Sequence, residues 1–511
     1  MFKITLIITI FAFLLFRPNT LNGAILHAGD DWSYFAHASS LAFGMFPHYD
    51  KEHWIEGQGL PAHPIGPGIL AAPFVAFFSL FDRMAGSSII NQRTEENVLD
   101  SWTLFGFIFA TAVYFWWACA LLFLGLKEYF SENIASWSVL LLVLLEGAPL
   151  FAFRRPIFGH VYSFFALCVL LYMLMVFMKR KKDMRFLDIM IAGLACGLTI
   201  LTRFNDVFLG MAWPIILVVY GLPHANLKKK ITSLAAMYVI MGLMILYFYV
   251  FPKLAVTHDP VFMGDRLLIG HPLGLYIKRI FHILFGQDWG LIFTAPFILI
   301  ALGGLVTIKT ALIKPLRWLS CFLVINFWII IQWMTQGGWY GYRYFIFTAF
   351  VILAYPFAYL LDLAYKRWGK RIILPISLIA LFPLLSMICF EGVTPDFSLH
   401  NCMQYFGVEG WGNNTYQRAI WDIIINSPID FIEAIGKGGP TYFLNLILIA
   451  FHKTSILPME VWLPYLSITW EMFYKSMLIY VTPFSLWGIS RLFFSWSQES
   501  RLKKEDHPAC S

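Results

Sequence analysis

The sequence predicts an all-α polytopic membrane protein. Of its 511 residues, 59% are hydrophobic and 13% are charged, about half of the roughly 25% that soluble domains carry. Apolar runs recur along the whole chain, and many reach the roughly 17–25 residues that a helix needs to cross a bilayer. The net charge of +7 does not indicate a nucleic-acid partner, because Lys and Arg are spread between the apolar runs.

About twelve segments are predicted to span the membrane. They are 1–18, 102–126, 134–153, 157–178, 186–202, 204–221, 231–252, 289–308, 316–334, 342–364, 371–390 and 476–496. The first is expected to be an uncleaved signal anchor, because it lacks a small-x-small cleavage site, and a cleaved signal peptide is the alternative.

Short basic loops follow every second predicted span, so that all of them fall on the same side of the membrane. They lie at 179–185, before residue 231, at 309–317, at 366–371 and after residue 500. With Lys3 inside, all of them fall on the cytoplasmic side, as the positive-inside rule requires.

The segment 63–81 is apolar enough to span, yet a span there would move every later basic loop to the outside. It is also rich in Pro and Gly near its start. We therefore predict an interfacial or partly re-entrant helix within one long outer loop, about residues 19–101. A true span with an error elsewhere in the count is the alternative.

Three regions follow from this topology. Residues 1–390 form the transmembrane module, 391–475 form an outer loop region of unknown role, and 476–511 carry the last span and a cytoplasmic tail. The seven cysteines show no paired spacing, so neither a disulfide framework nor a zinc site is predicted.

Ionisable and polar side chains gather at the outer ends of the predicted spans. Those that we select as site candidates are Asp30, Asp31, His63, His160, Arg203, Asp206 and Arg343. A snorkelling arginine or a helix cap explains any one of them alone. Their joint occurrence at one face indicates a site, because charges near a bilayer are costly.

The candidate residues suggest a division of chemical roles. Asp30 or Asp31 is suited to accept a proton from an attacking hydroxyl. His63, Arg203 and Arg343 are suited to neutralise a lipid phosphate as it leaves.

Other candidates on the same face are predicted to bind substrate. Aromatic rings stack on the apolar face of a pyranose, and an interfacial aromatic belt is the alternative explanation for the rings. The predicted substrate-binding residues are Tyr34, His160, Asp206, Trp339 and Tyr340.

Several motifs resemble, in order over about the first 360 residues, the GT-C superfamily of polyprenyl-phosphate-sugar-dependent glycosyltransferases. This superfamily includes the protein O-mannosyltransferases (glycosyltransferase family 39) and the aminoarabinose transferases. The motifs are "GDDWSYFAHASSLAFG", "AHPIGPGILAAPF", "GLACGLTILTRFNDVFL", "FGQDWGLIFTAPFILIALGGL" and "QGGWYGYRYFIFTAFVILAYP". The chain departs from the family pattern at Asp31, where Glu is usual, at His63, where Lys is commoner, and at Phe204, where Pro is frequent.

The resemblance implies a GT-C-like fold with an interfacial helix in the first outer loop, and it implies Asp30 as the base. It implies transfer of a sugar from a polyprenyl-phosphate carrier to a hydroxyl of a lipid, glycan or protein. The reaction would take place outside the bacterial inner membrane, facing the periplasm, or in the lumen of the endoplasmic reticulum. Some members bind a divalent metal, Mg or Mn, near the acids, where Asp30 and Asp31 would supply oxygen ligands.

Two other functions stay open at this stage. A secondary transporter is the first, although transporters place binding groups near the bilayer midplane and often show repeated halves, and this sequence has no evident internal repeat. A polymerase or ligase of lipid-linked oligosaccharides is the second, and it would use the same donor chemistry.

Overall fold

A computed structural model describes residues 30–47, 49, 61, 63–86, 101–145, 152, 156, 158–181, 183–257, 273–285, 290–333, 343–379 and 429. Within these ranges the regular structure is helical and no strand occurs. The all-α prediction is therefore confirmed for the described part of the chain.

Thirteen α-helices are described. They are α1 (Asp30–Ala42), α2 (Gly66–Met84), α3 (Trp102–Lys127), α4 (Glu132–Leu145), α5 (His160–Arg180), α6 (Phe186–Thr202), α7 (Val207–Gly221), α8 (Leu227–Ile245), α9 (Leu273–Phe285), α10 (Leu291–Thr294), α11 (Phe297–Thr307), α12 (Ile313–Trp333) and α13 (Arg343–Trp368). A 3-10 turn, Phe204–Asp206, joins α6 to α7, and a second one, Gly369–Ile372, follows α13.

Among the described residues, six helical segments are long and apolar enough to cross a membrane. They are Gly66–Met84, Trp102–Lys127, His160–Arg180, Phe204–Gly221, Leu227–Ala255 and Phe345–Ile379. The protein is thus a polytopic helical membrane protein. The total of about twelve spans stays a prediction, because the predicted spans 1–18 and 476–496 lie outside the described residues.

The predicted span 289–308 differs from the observed structure. It is divided into α10 and α11 by Ala295 and Pro296. Proline lacks a backbone N–H and disfavours helical torsions in the residue before it, and Ala295 indeed leaves the helical region, with φ −147° and ψ 61°.

Helices α3 and α13 are the two longest α-helices among the described residues, with 26 residues each. Both are lined by buried residues over most of their length, as expected of helices that are apolar on all sides. Helix α3 packs against α2, α4 and α5, whereas α13 packs against α4, α5, α11 and α12. Helix α5, which packs against both of them, also packs against α6 and α7.

The described basic loops meet at one end of the bundle, which we call the basic end. Arg180 at the end of α5 pairs with Glu128 after α3, and Lys229 in α8 pairs with Asp183. The Tyr355 hydroxyl of α13 donates to Thr310 Oγ1 over 3.1 Å, which brings the loop after α11 to the same end. His160, at the start of α5, therefore lies toward the opposite end, which we call the polar end.

Helix α2 begins at the polar end in close contact with two other helices. A Cβ atom on Gly66 would lie 2.4 Å from Thr202 Oγ1, and one on Gly68 would lie 2.5 Å from His37 Cβ. Only glycine permits such approaches, so the start of α2 is fixed between α1 and the end of α6.

From that start, α2 runs away from the basic end. Leu70 accepts a hydrogen bond from Tyr114 in the middle of α3, and Asp82, twelve residues later, accepts one from the backbone of Trp102 at the start of α3. Helix α2 thus runs antiparallel to α3 along only its first half, from Trp102 to Tyr114. Its placement as an interfacial or partly re-entrant helix in the first outer loop stays a prediction.

Candidate functional site

Helix α1 carries the acidic doublet at its first turn. Its backbone begins at Asp30, and the side chains of Asp30 and Asp31 lie outside the described residues. From Ser33 to Ser40 the helix is buried, and it contains Ala36, Ala38 and three serines. Small residues of this kind allow a helix to approach its neighbour closely, which explains how α2 reaches α1.

Two histidines connect α1 with the segment before α2. His37 Nε2 lies 2.9 Å from the carbonyl oxygen of His63, and His37 Nδ1 lies 2.7 Å from the Tyr49 hydroxyl. A carbonyl can only accept, so Nε2 carries the proton and Nδ1 accepts from Tyr49. We call these three residues the histidine node.

Burial controls the protonation of the histidine node. It lowers the pKa of His37 to about 4 and raises the pKa of Tyr49 above its usual value. At neutral pH, His37 is therefore an uncharged imidazole that holds the backbone of His63, and Tyr49 keeps its proton for the hydrogen bond.

The His63 side chain lies over the first turns of α1. Its Nδ1 is 3.1 Å from Ser33 Oγ, and its ring centroid is 5.7 Å from that of Tyr34. Ser33 follows Asp30 by three residues, which is about 4.5 Å along a helix. The side chain of His63, a predicted phosphate ligand, thus lies within about one helical turn of the backbone of Asp30, the predicted base.

Helix α5 brings His160 to the same end of the bundle. A Cβ atom on Gly159 would lie 3.3 Å from Tyr34 Oη. The His160 ring is buried and stacks on Phe347 of α13, with centroids 5.8 Å apart and planes at 10°. Arg343 begins α13 about one turn before Phe347, although its side chain lies outside the described residues.

Arg203 stands where α6 ends, directly after Thr202. Its backbone is extended, with φ −152° and ψ 117°, and the 3-10 turn starts at the next residue. The guanidinium Nε lies 4.0 Å from Asp206 Oδ2 within this turn. Arg203 keeps 5% of its surface exposed, whereas Asp206 keeps none.

Asp206 joins the 3-10 turn to three helices. Its Oδ1 accepts from Asn326 Nδ2 of α12 over 2.8 Å and from Thr348 Oγ1 of α13 over 2.9 Å. Its Oδ2 accepts from Ser163 Oγ of α5 over 3.0 Å and faces Arg203. We call these five residues the aspartate node.

Tyr34, His63, His160, Arg203 and Asp206 therefore lie together at the polar end. Their predicted roles stay predictions. The predicted substrate ligands Trp339 and Tyr340 lie outside the described residues.

The sequence pattern did not indicate the partners of these candidates, which are His37, Tyr49, Ser163, Asn326 and Thr348. Asn326 could have been recognised as a candidate from the sequence, because it is a lone amide within the apolar run "FLVINFWIII". Polar groups inside such runs are commonly functional or paired.

Within the described ranges, no group of three or more His, Cys, Asp or Glu side chains is placed to hold a metal ion. The carboxylates predicted as metal ligands, Asp30 and Asp31, are not among the side chains that were described. A divalent metal at the doublet therefore stays a prediction.

Comparison with solved structures finds two similar chains. The crystal structure of ArnT from Cupriavidus metallidurans in the apo state has 14% sequence identity and a TM-score of 0.48, over 95% of this chain and 76% of that one. The structure of ArnT from the same organism bound to undecaprenyl phosphate has 13% identity and a TM-score of 0.49, over 96% and 77% of the two chains. No protein-family model and no curated protein matches the chain.

Proposed function

We propose that the protein is an inverting glycosyltransferase that moves a sugar from a polyprenyl-phosphate carrier to an acceptor hydroxyl. The acceptor belongs to a lipid, a glycan or a protein. The reaction takes place at the polar end, on the outer side of the membrane, which in a bacterial inner membrane is the periplasmic side.

The reaction requires one base and one group of cations. The acceptor oxygen attacks the anomeric carbon while Asp30 takes its proton. The bond between that carbon and the phosphate oxygen breaks, and its electron pair stays with the polyprenyl phosphate. Arg203, Arg343 and His63 neutralise the phosphate oxygens as this charge develops.

One structural observation carries the proposal: the elements that bear the predicted base and cations converge through contacts at the polar end. Tyr34, on the next turn after Asp30, contacts both the His63 ring and Gly159. His160 then contacts α13 beside the turn that Arg343 begins. A scattered set of surface charges would not share such contacts.

A direct test replaces Asp30 with Asn in the full-length protein in detergent. Release of polyprenyl phosphate is measured with a panel of polyprenyl-phosphate hexoses and pentoses. Loss of a general base lowers turnover by about 10²–10⁴-fold. Asp183→Asn, at the basic end, is the matched control with unchanged turnover. Undiminished turnover of Asp30→Asn would remove this carboxylate from the mechanism.

The outer location is tested separately by labelling. Gln92→Cys lies within the predicted first outer loop, about residues 19–101. We expect a membrane-impermeant maleimide to label it in intact cells above the level of the parent protein. Protection until the cells are opened would contradict the topology.

A further inference from the structure

The aspartate node is built differently from a ligand site. Both oxygens of Asp206 face donors of the protein itself, from Asn326, Thr348 and Ser163, and Oδ2 also faces the guanidinium of Arg203. A carboxylate is an acceptor at both oxygens, and all of these partners donate. The carboxylate is thus matched to its surroundings without a ligand.

Exposure separates the two charged members of the node. Asp206 is 0% exposed and Arg203 is 5% exposed, so of the two only the arginine presents surface to a ligand. Any influence of Asp206 on a ligand has to pass through the residues that it holds.

The residues that Asp206 holds stand next to the predicted phosphate ligands. Its backbone N–H donates to the Arg203 carbonyl over 3.0 Å, and its Oδ2 faces the Arg203 side chain. Thr348 follows Arg343 by five residues on α13, about 7.5 Å along the axis. The Asp206 carboxylate therefore links the turn next to Arg203 to α13, the helix that begins with Arg343.

We propose that Asp206 is a positioning residue, which holds Arg203 in place for the phosphate of the lipid carrier by tying the 3-10 turn to α5, α12 and α13. This inference rests on the proposed function. It replaces direct substrate contact, the role predicted for Asp206 from sequence, with an action through Arg203.

The test measures binding of a polyprenyl monophosphate to the full-length protein in detergent, with the phosphate-free polyprenol as the reference ligand. Four proteins are compared: the parent, Asp206→Asn, Arg203→Gln and the double variant. We expect Asp206→Asn to weaken phosphate binding about tenfold, which is about 1.4 kcal/mol. In the Arg203→Gln background, the same replacement should cause no further loss.

The double variant distinguishes positioning from general structural damage. If Asp206 only stabilised the fold, its replacement would weaken binding by the same factor with and without the Arg203 guanidinium. Equal factors in the two backgrounds, or an unchanged affinity of Asp206→Asn, would overturn the inference. A parent protein that binds the monophosphate no better than polyprenol would overturn the proposed donor, and this inference with it.

A milder variant covers the case in which Asp206→Asn does not fold. Thr348→Val is nearly isosteric and removes one donor while it leaves the carboxylate in place. We expect Thr348→Val to bind the phosphate two- to fivefold more weakly than the parent. In the Arg203→Gln background, the same replacement should cause no further loss of affinity. Thr199→Val is the matched control, because Thr199 is equally buried but donates only within its own helix, to Ala195 over 2.8 Å. Its phosphate affinity should equal that of the parent, and a Thr348→Val protein that behaves like this control would contradict the inference.

Discussion

The two ends of the helix bundle hold their arginines in opposite ways. At the basic end, the Arg180 side chain is 43% exposed and pairs with Glu128, which is 19% exposed. At the polar end, the Arg203 side chain is 4% exposed and faces Asp206, which is 0% exposed. The first pair joins two helix ends and the second lies within one turn, yet only the second removes its charges from solvent.

The difference in exposure between the two ion pairs has an energetic consequence. Exposed pairs contribute about 0–1 kcal/mol each, and basic loops on one side suffice to orient a membrane protein. A buried pair costs several kcal/mol of desolvation per ion. Burial of the Arg203–Asp206 pair therefore has a desolvation cost that membrane orientation does not require.

The largest effect is expected from Arg203→Gln. It removes a predicted phosphate ligand and leaves Asp206 without its cation, so turnover of the lipid-linked donor should fall by about 10²-fold or more. Stability should fall by about 3–5 kcal/mol, because a buried charge loses its partner. Turnover assays and thermal unfolding in detergent measure the two effects.

Lys229→Gln at the basic end is the control for this comparison. Lys229 pairs with Asp183 in exposed surroundings, so the turnover and the unfolding temperature of the Lys229→Gln variant should match those of the parent. Similar losses in the two variants would mean that burial does not distinguish the two ends.

The second effect concerns pH and the histidine node. Burial lowers the pKa of His37 from 6.5 to about 4, so between these pH values the unfolded chain binds a proton that the folded chain does not. The contribution of His37 is complete above pH 6.5 and is lost as the pH falls toward 4, by about 3 kcal/mol in all.

Unfolding measured between pH 7 and pH 4 tests this expectation. The slope of stability against pH should be smaller in His37→Asn than in the parent, because Asn does not titrate. Equal slopes would show that the imidazole ionises in the folded protein as readily as in the unfolded one.

The third effect uses glycines from the two ends. Gly66→Ala would place a Cβ 2.4 Å from Thr202 Oγ1 and 2.6 Å from the Thr202 backbone nitrogen, so overpacking should cost about 1–3 kcal/mol. Gly303 lies near the basic end of α11 with no atom within 4 Å of its would-be Cβ. Gly303→Ala should gain up to about 1 kcal/mol. Unfolding temperatures that move in the same direction would contradict the close contact at Gly66.

The smallest effect is expected from Glu128→Gln. It breaks the exposed pair with Arg180, so stability should change by less than about 1 kcal/mol, and less still at high salt. Turnover should be unchanged. A large loss of stability would place this pair in the same class as that of Arg203 and Asp206.

The amino-acid sequence by itself determined the membrane class, most helix positions and the candidate residues of the polar end. These features depend on local composition: apolar runs of spanning length, prolines and basic loops are readable within windows of about 20 residues. Arg203 and Asp206 stood out for the same reason, since charged side chains beside apolar helices are conspicuous.

Only the tertiary structure decided which residues are hydrogen-bond partners in the two nodes. Asn326 and Thr348 are separated from Asp206 by 120 and 142 residues, and His37 is separated from His63 by 26. Such partners share no period or motif along the chain, because helix packing brings them together. Packing also directed α2 away from the basic end, since its glycines fit only where α1 and α6 leave room for a bare backbone.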